Sequence, residues 1–276
     1  MIELVDSHAH IQEPEFAADI DAALERARAA GVTTVIVPAE DVDSSRRAVA
    51  LASRIDGVYA TAGFHPHEAS KLDDAALAQI EALLSHEKVV AVGEIGLDFY
   101  RTLSPRERQI EAFEVQLNLA ERHALPVVIH CRDAWDALAD QLPAWAHRVA
   151  PAYAGRPLGV LHYYSSDLET ALRYVDLGFL ISIHTSVTHP KATALREVVA
   201  ALPLTSLVVE TDSPYGAPQA HRGKRNEPAY VIEAVRQIAE LKDLSMEEVA
   251  TTASANALRL FRLAAPAEAV LKGVEP

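Results

Sequence analysis

Asp6-Ser7-His8-Ala9-His10 closes a short apolar run near the amino terminus. Residues two apart on a β-strand point the same way, so His8 and His10 are expected to converge as half of a metal site. Two ordinary polar residues where a strand meets a loop would look the same, and only further ligands separate the readings. Glu94 sits inside the apolar run Val89–Asp98, where an unpaired carboxylate is costly and needs a cation or a salt bridge to an arginine. Val127-Val128-Ile129-His130 and Val160-Leu161-His162 each end an apolar run in a histidine. Either alone suits a hydrogen-bonded core histidine equally well; beside Glu94 and the His8/His10 pair, the ligand reading gains. Leu207-Val208-Val209-Glu210-Thr211-Asp212 ends in carboxylates, of which Asp212 can both touch a metal and take a proton from water. Imidazole and carboxylate donors without thiolate suit Zn, Mn, Fe or Co, and a carboxylate-richer variant tolerates Mg.

Bringing these side chains together requires a fold that gathers strand ends. Short β-branched apolar runs alternate with amphipathic helical patterns along the chain, the signature of repeated βα units. The expected strands cover 4–10, 32–40, 58–67, 89–99, 125–131, 159–165, 179–186 and 206–213. About eight parallel strands close a (β/α)8 TIM barrel, whose chemistry lies at the carboxyl ends of the strands. Seven of the 12 histidines, His8, His10, His65, His67, His130, His162 and His184, fall at or just past such an end.

Helices are expected where Phe16, Ile20, Leu24 and Ala27 recur before a Gly31 cap, and from a Ser104 cap with Pro105 at the first helical position through Glu121. Others are expected around 168–175 and 195–202, and after the capping box Ser245-Met246-Glu247-Glu248. No linker or low-complexity stretch divides the chain. A single α/β barrel domain is therefore expected over 1–263, followed by a tail over 264–276.

With Lys+Arg 25 against Asp+Glu 39, the formal charge is −14. This argues against binding nucleic acid through a broad basic surface, though divalent cations could supply positive charge locally to a phosphate substrate. Cys131 is the single cysteine, which excludes an intramolecular disulfide and a thiolate zinc cluster. No apolar run approaches the roughly 18 residues of a membrane span, and no basic start precedes an apolar signal core. A cytoplasmic protein is expected, with no membrane association and no obligate protein partner.

Six stretches, in this order, resemble the TatD-type metal-dependent hydrolases of the amidohydrolase superfamily, and the likeness runs nearly end to end. They are Asp6-Ser7-His8-Ala9-His10, Gly63-Phe64-His65-Pro66-His67, Gly93-Glu94-Ile95-Gly96-Leu97-Asp98, His130-Cys131-Arg132-Asp133-Ala134, Glu210-Thr211-Asp212-Ser213-Pro214-Tyr215 and Arg222-Gly223-Lys224-Arg225-Asn226-Glu227-Pro228. The resemblance implies two divalent ions (Zn, Mn or Mg), one held by His8, His10, Glu94 and Asp212, the other by Glu94, His130 and His162, with Glu94 bridging. It implies a deoxyribonuclease, a 3′ to 5′ exonuclease on DNA ends, in which a metal-bound hydroxide attacks phosphorus with Asp212 as base. Two such ions can stabilise both the attacking and the leaving oxygen of a phosphoryl transfer.

His65 resembles a family position near the substrate phosphate or metal water, which makes it a catalytic candidate beside Asp212 and Glu94 as well as a substrate contact. His67, Arg132 and the basic loop residues Arg222, Lys224 and Arg225 are further candidate substrate contacts, since an acidic protein that holds a polyanion needs local cations. A basic loop can also simply be solvated. Glu210 and Asp98 are expected to orient ligands from behind. After His162 and after Ser182 the family usually has a glycine within a few residues, where this chain has Tyr163-Tyr164-Ser165-Ser166 and Ile183-His184-Thr185. Those loops shape the substrate pocket, and His184 is an extra candidate contact. They keep open an esterase, lactonase or aminoacyl-ester deacylase on the same two-metal centre. A non-catalytic metal or nucleic-acid binding protein is a third reading, against which the complete ligand set argues.

Overall fold

The computed structural model describes residues 3–264. In chain order the elements are β1 (Leu4–Asp6), α1 (Ile20–Ala29), β2 (Val32–Val37), α2 (Val42–Arg54), β3 (Val58–Ala62), α3 (Asp74–Leu83), β4 (Val89–Asp98), α4 (Arg106–His123), β5 (Val127–Arg132), α5 (Trp135–Tyr153), β6 (Gly159–Leu161), α6 (Leu168–Asp176), β7 (Phe179–His184), α7 (Thr193–Ala201), β8 (Leu207–Glu210), α8 (Val231–Lys242) and α9 (Met246–Phe261). Each strand pairs in parallel with the next from β1 to β8. The ring shuts between its ends: Ser7 N donates to Val209 O at 3.0 Å, Asp212 N donates to His8 O at 2.9 Å, and Ala9 bridges Ser213 in parallel. The expected eight-stranded α/β barrel is the observed fold.

Hydrophobic burial fills the barrel from its amino end. Val5, Ile36, Val90, Val128, Val160, Leu180 and Val208 form one apolar cluster with Ala257, Leu260 and Phe261 of α9, which plugs that end. Strand side chains alternate with period two, so His130, His162 and Glu210 follow Val128, Val160 and Val208 onto the inner face, above the plug. The other faces of the strands pack against the surrounding helices in a second, larger cluster.

Local chemistry sets the element ends. Ser245 and Glu248 form the expected reciprocal cap on α9, with bonds of 3.1 and 2.9 Å. Ser104, expected to cap α4, does not: the helix begins at Arg106 after Pro105, and the Ser104 hydroxyl instead donates to His67 O and accepts from Ser70 N. The hydroxyl thus fastens the loop carrying His67. Several strands stop earlier than expected, β1 at Asp6, β3 at Ala62 and β6 at Leu161. Beyond those points the backbone binds loop partners, as in Ala9 N to Ile36 O and His65 N to Glu40 O. Within β4, Gly96 has φ 140°, and a Cβ there would lie 2.0 Å from His130 O. Only glycine lets β4 run this close to β5 beside His130. Of the expected tail, residues 265–276 lie outside the described residues.

Candidate metal centre

The Glu94 carboxylate, delivered by β4, lies within 4 Å of five imidazoles. Its Oε1 is 2.9 Å from His130 Nδ1, 3.5 Å from His65 Nε2 and 3.6 Å from His162 Nε2, while Oε2 is 3.2 Å from His8 Nε2 and 3.9 Å from His10 Nε2. Asp212 Oδ1, just past β8, is 3.5 Å from His10 Nε2 and 3.8 Å from His8 Nε2. His8 and His10 were expected on the strand itself; they follow it, yet their Nε2 atoms meet at 3.2 Å. Three sets of ligand atoms gather within 4.8 Å of one another: His8, Glu94 and His162; His8, His10 and Asp212; and His65, Glu94 and His130. All six expected ligands therefore come to one place. His65, expected beside substrate, also joins a ligand set. The donors are imidazole nitrogens and carboxylate oxygens, and two facing Nε2 atoms share at most one proton between them; both facts fit a divalent ion.

Buried polar partners hold these side chains. Glu210 Oε1 is 3.0 Å from His162 Nδ1 and accepts Tyr163 N at 2.7 Å. Asp98 Oδ2 is 3.2 Å from His130 Nε2 and 2.9 Å from His67 Nε2, while Oδ1 accepts the amides of Tyr100 and Arg101. Gln116 accepts Phe64 N and donates to Phe64 O, which fixes the backbone entering His65. Asp212 has φ 58°, in the left-handed region. Its turn is pinned by Asn226, whose Nδ2 donates to Thr211 O at 2.8 Å and Tyr215 O at 2.6 Å. Asn226 was not singled out from the sequence, although it lies in a motif that was.

Burial and charge divide the titrations. Burial opposes charging His10 and His130, yet Asp212 beside the first, and Asp98 and Glu94 beside the second, push both up to about 9. Burial and the neighbouring His162 push His8 down, and burial pushes His65 down to about 4. Burial would raise Glu94, but His162, His65 and His8 around it hold it well below the usual carboxylate range. A carboxylate that stays ionised this readily suits a divalent cation as a partner.

A family model for TatD related DNases matches residues 5–262. The chain belongs to that family. YabD of Bacillus subtilis (strain 168), named an uncharacterized metal-dependent hydrolase, is 38% identical over 94% of this chain and 99% of its own. A protein of Cronobacter sakazakii named 3'-5' ssDNA/RNA exonuclease TatD is 34% identical over 94% of this chain and 97% of its own. The crystal structure of YJJV, a TatD homologue from Escherichia coli K12, superposes with a TM-score of 0.87 at 35% identity, covering 95% of this chain and 99% of that one. With these relatives, the chain is a metal-dependent hydrolase of the TatD family.

In this TatD-family barrel the ligand atoms open into a cavity of about 560 Å³. His67, Arg132, Tyr163 and Tyr215 line it, as do Glu40 and Arg101, which the sequence reading missed. Both follow strand ends, β2 and β4, and that placement was the available signal. The Arg132 guanidinium lies 3.9 Å over the Tyr100 ring. His184, expected as an extra substrate contact, is not among the lining residues and is buried against Tyr163, rings stacked at 3.6 Å and 10°. Arg222, Lys224 and Arg225 are likewise not among the lining residues. The Arg225 guanidinium is instead engaged by both oxygens of Asp19 at 2.7 and 2.8 Å. In the loop after His162, Tyr163 takes φ 45° and bonds Ser186 Oγ through its hydroxyl at 3.0 Å. Among the described residues no helix is long and apolar enough to cross a membrane.

Proposed function

We propose that this TatD-family hydrolase is a deoxyribonuclease that shortens single-stranded DNA from its 3′ end using two divalent ions. One observation carries the reading: six candidate ligands crowd around Glu94 in a cavity whose only lysine or arginine side chains, Arg101 and Arg132, enter no ion pair among the described residues. Relatives named 3'-5' ssDNA/RNA exonucleases support the choice of substrate. His8, His10, Glu94 and Asp212 would hold one ion and Glu94, His130 and His162 the other. Bound there, the ions would neutralise charge on the transferring phosphoryl group and acidify a water.

The chain's own side chains supply the rest. Asp212, open to the cavity, takes the proton of the attacking water. His65, kept neutral by burial, offers a hydrogen bond to that water or to a phosphate oxygen. Arg132, its face against Tyr100, leaves its donor edge free for non-bridging phosphate oxygens.

A 5′-labelled single strand incubated with Mn, Mg or Zn, beside a panel of carboxylic esters and lactones, tests this reading. A ladder shortened from the 3′ end, abolished by chelator and by Glu94→Ala, is expected. No cleavage of DNA by the wild type with any of these metals, or equal cleavage by Glu94→Ala, overturns it.

A further inference from the structure

Four carboxylates line the cavity: Glu40, Glu94, Asp98 and Asp212. Three of them lie against imidazoles, and Glu40 is the exception. It follows β2, and its backbone is fastened on both sides. Glu40 N donates to Ser44 Oγ at 2.8 Å, Glu40 O accepts His65 N at 2.9 Å, and the next residue, Asp41, caps α2. The half-buried side chain, by contrast, makes no hydrogen bond and no ion pair among the described residues. Burial, with Glu94 and Glu13 nearby, pushes its carboxyl above the usual range although His10 pulls the other way. None of the ligand sets includes it, so it is not placed to share a metal with two other side chains.

A rigid backbone thus presents an unpartnered carboxylate to the space where substrate must sit. A half-buried carboxylate is stabilised by a donor, and here no described protein group supplies one. The cations of the same cavity, Arg101 and Arg132, come from the ends of β4 and β5, whereas Glu40 follows β2. A phosphate is attracted to the arginines and repelled by Glu40, whereas a hydroxyl can donate to Glu40. We infer that Glu40 determines which chain ends are accepted, taking a hydrogen bond from a free hydroxyl on the terminal sugar and turning away an end that carries a phosphate. The inference rests on the nuclease reading above.

Two oligonucleotides that differ only in a 3′-hydroxyl or 3′-phosphate, cleaved by wild type, Glu40→Gln and Glu40→Ala, test it through the ratio of their kcat/KM values. The wild type is expected to favour the hydroxyl end by about tenfold or more, as like charges in close contact discriminate. Both variants should bring the ratio towards one, Glu40→Gln chiefly by admitting the phosphate end. A merely structural role would slow both substrates alike and keep the ratio. A wild type without preference, or variants that keep its preference, overturns the inference while the nuclease reading stands; no cleavage of either oligonucleotide overturns both.

Discussion

The rings of His8 and His162 lie face to face, 3.4 Å between centroids and 12° from parallel, although one follows the first strand and the other the sixth. Two imidazoles so placed do not both carry charge. Burial and His162 push His8 down, whereas Glu210 and Glu94 push His162 up against the effect of burial. Glu94 touches both rings and so ties opposite sides of the barrel together at one carboxylate.

Metal should stabilise the fold in a pH-dependent way. An ion at one hundred times its dissociation constant adds about 2.7 kcal/mol, or about 5–10 °C in the thermal midpoint of a chain this size. His10 and His130 are raised to about 9 in the folded, metal-free chain, against about 6.5 unfolded. Their contribution is present below pH 6.5 and is lost as pH rises to 9, where the same two ligands become free of protons for metal. The midpoint difference between metal-loaded and chelator-treated protein should therefore widen from pH 6.5 to 9 in differential scanning fluorimetry. A constant or shrinking difference contradicts these shifts.

Glu210→Gln removes the negative charge facing His162 Nδ1 without touching substrate. Loss of such a support lowers metal affinity or activity by about 10–100-fold. The loss should be largely recovered at high metal concentration, as a titration of rate against Mn would record. Rates reduced equally at every metal concentration would assign Glu210 a different role.

Gly96→Ala places a methyl against His130 O. Strain at such a φ alone is about 1–3 kcal/mol, and the collision adds to it. Urea denaturation should show a lower midpoint at unchanged slope, together with weaker metal binding. A midpoint equal to wild type would show that β4 and β5 can separate freely there.

Arg132→Ala and Arg225→Ala should diverge. The first removes a cation from the cavity and should raise KM for oligonucleotides, more so at low salt because the contact is ionic. The second releases Asp19, the Glu15 carbonyl and the Phe16 face, and should lower the thermal midpoint more than it changes KM. Steady-state kinetics and melting curves of the two variants side by side would show whether the basic loop touches substrate after all.

The barrel and the convergence of the six side chains were legible because both follow largely from short-range rules. A period of two sends His130 and His162 inward after Val128 and Val160, and βα alternation fixes where strand ends gather. His184 obeyed the same placement at the end of β7 but lies behind Tyr163, because nothing in the spacing tells how far a neighbouring ring reaches. Arg225 misled for a related reason: its partner Asp19 is 206 residues away in sequence. Glu40 ends the expected second strand and Arg101 lies just past the fourth, yet neither stood out, because in the fold each lies a few residues into a loop and its exposure to the cavity depends on neighbouring strands. Ser104 shows that a capping pattern is only an offer, which a long-range acceptor such as His67 O can outbid.

The ring is shut by Ser7 and Val209, 202 residues apart, and Asp212 joins His8 and His10 only across that seam. Because synthesis runs from the amino terminus, His8, His10, Glu94, His130 and His162 all leave the ribosome before Asp212 does. A nascent chain therefore carries five of the six converging side chains while the seam is still open. The side-chain cluster is complete only once the last strand has joined the first, and a fragment ending before residue 212 lacks both Asp212 and the seam that brings it to His8 and His10.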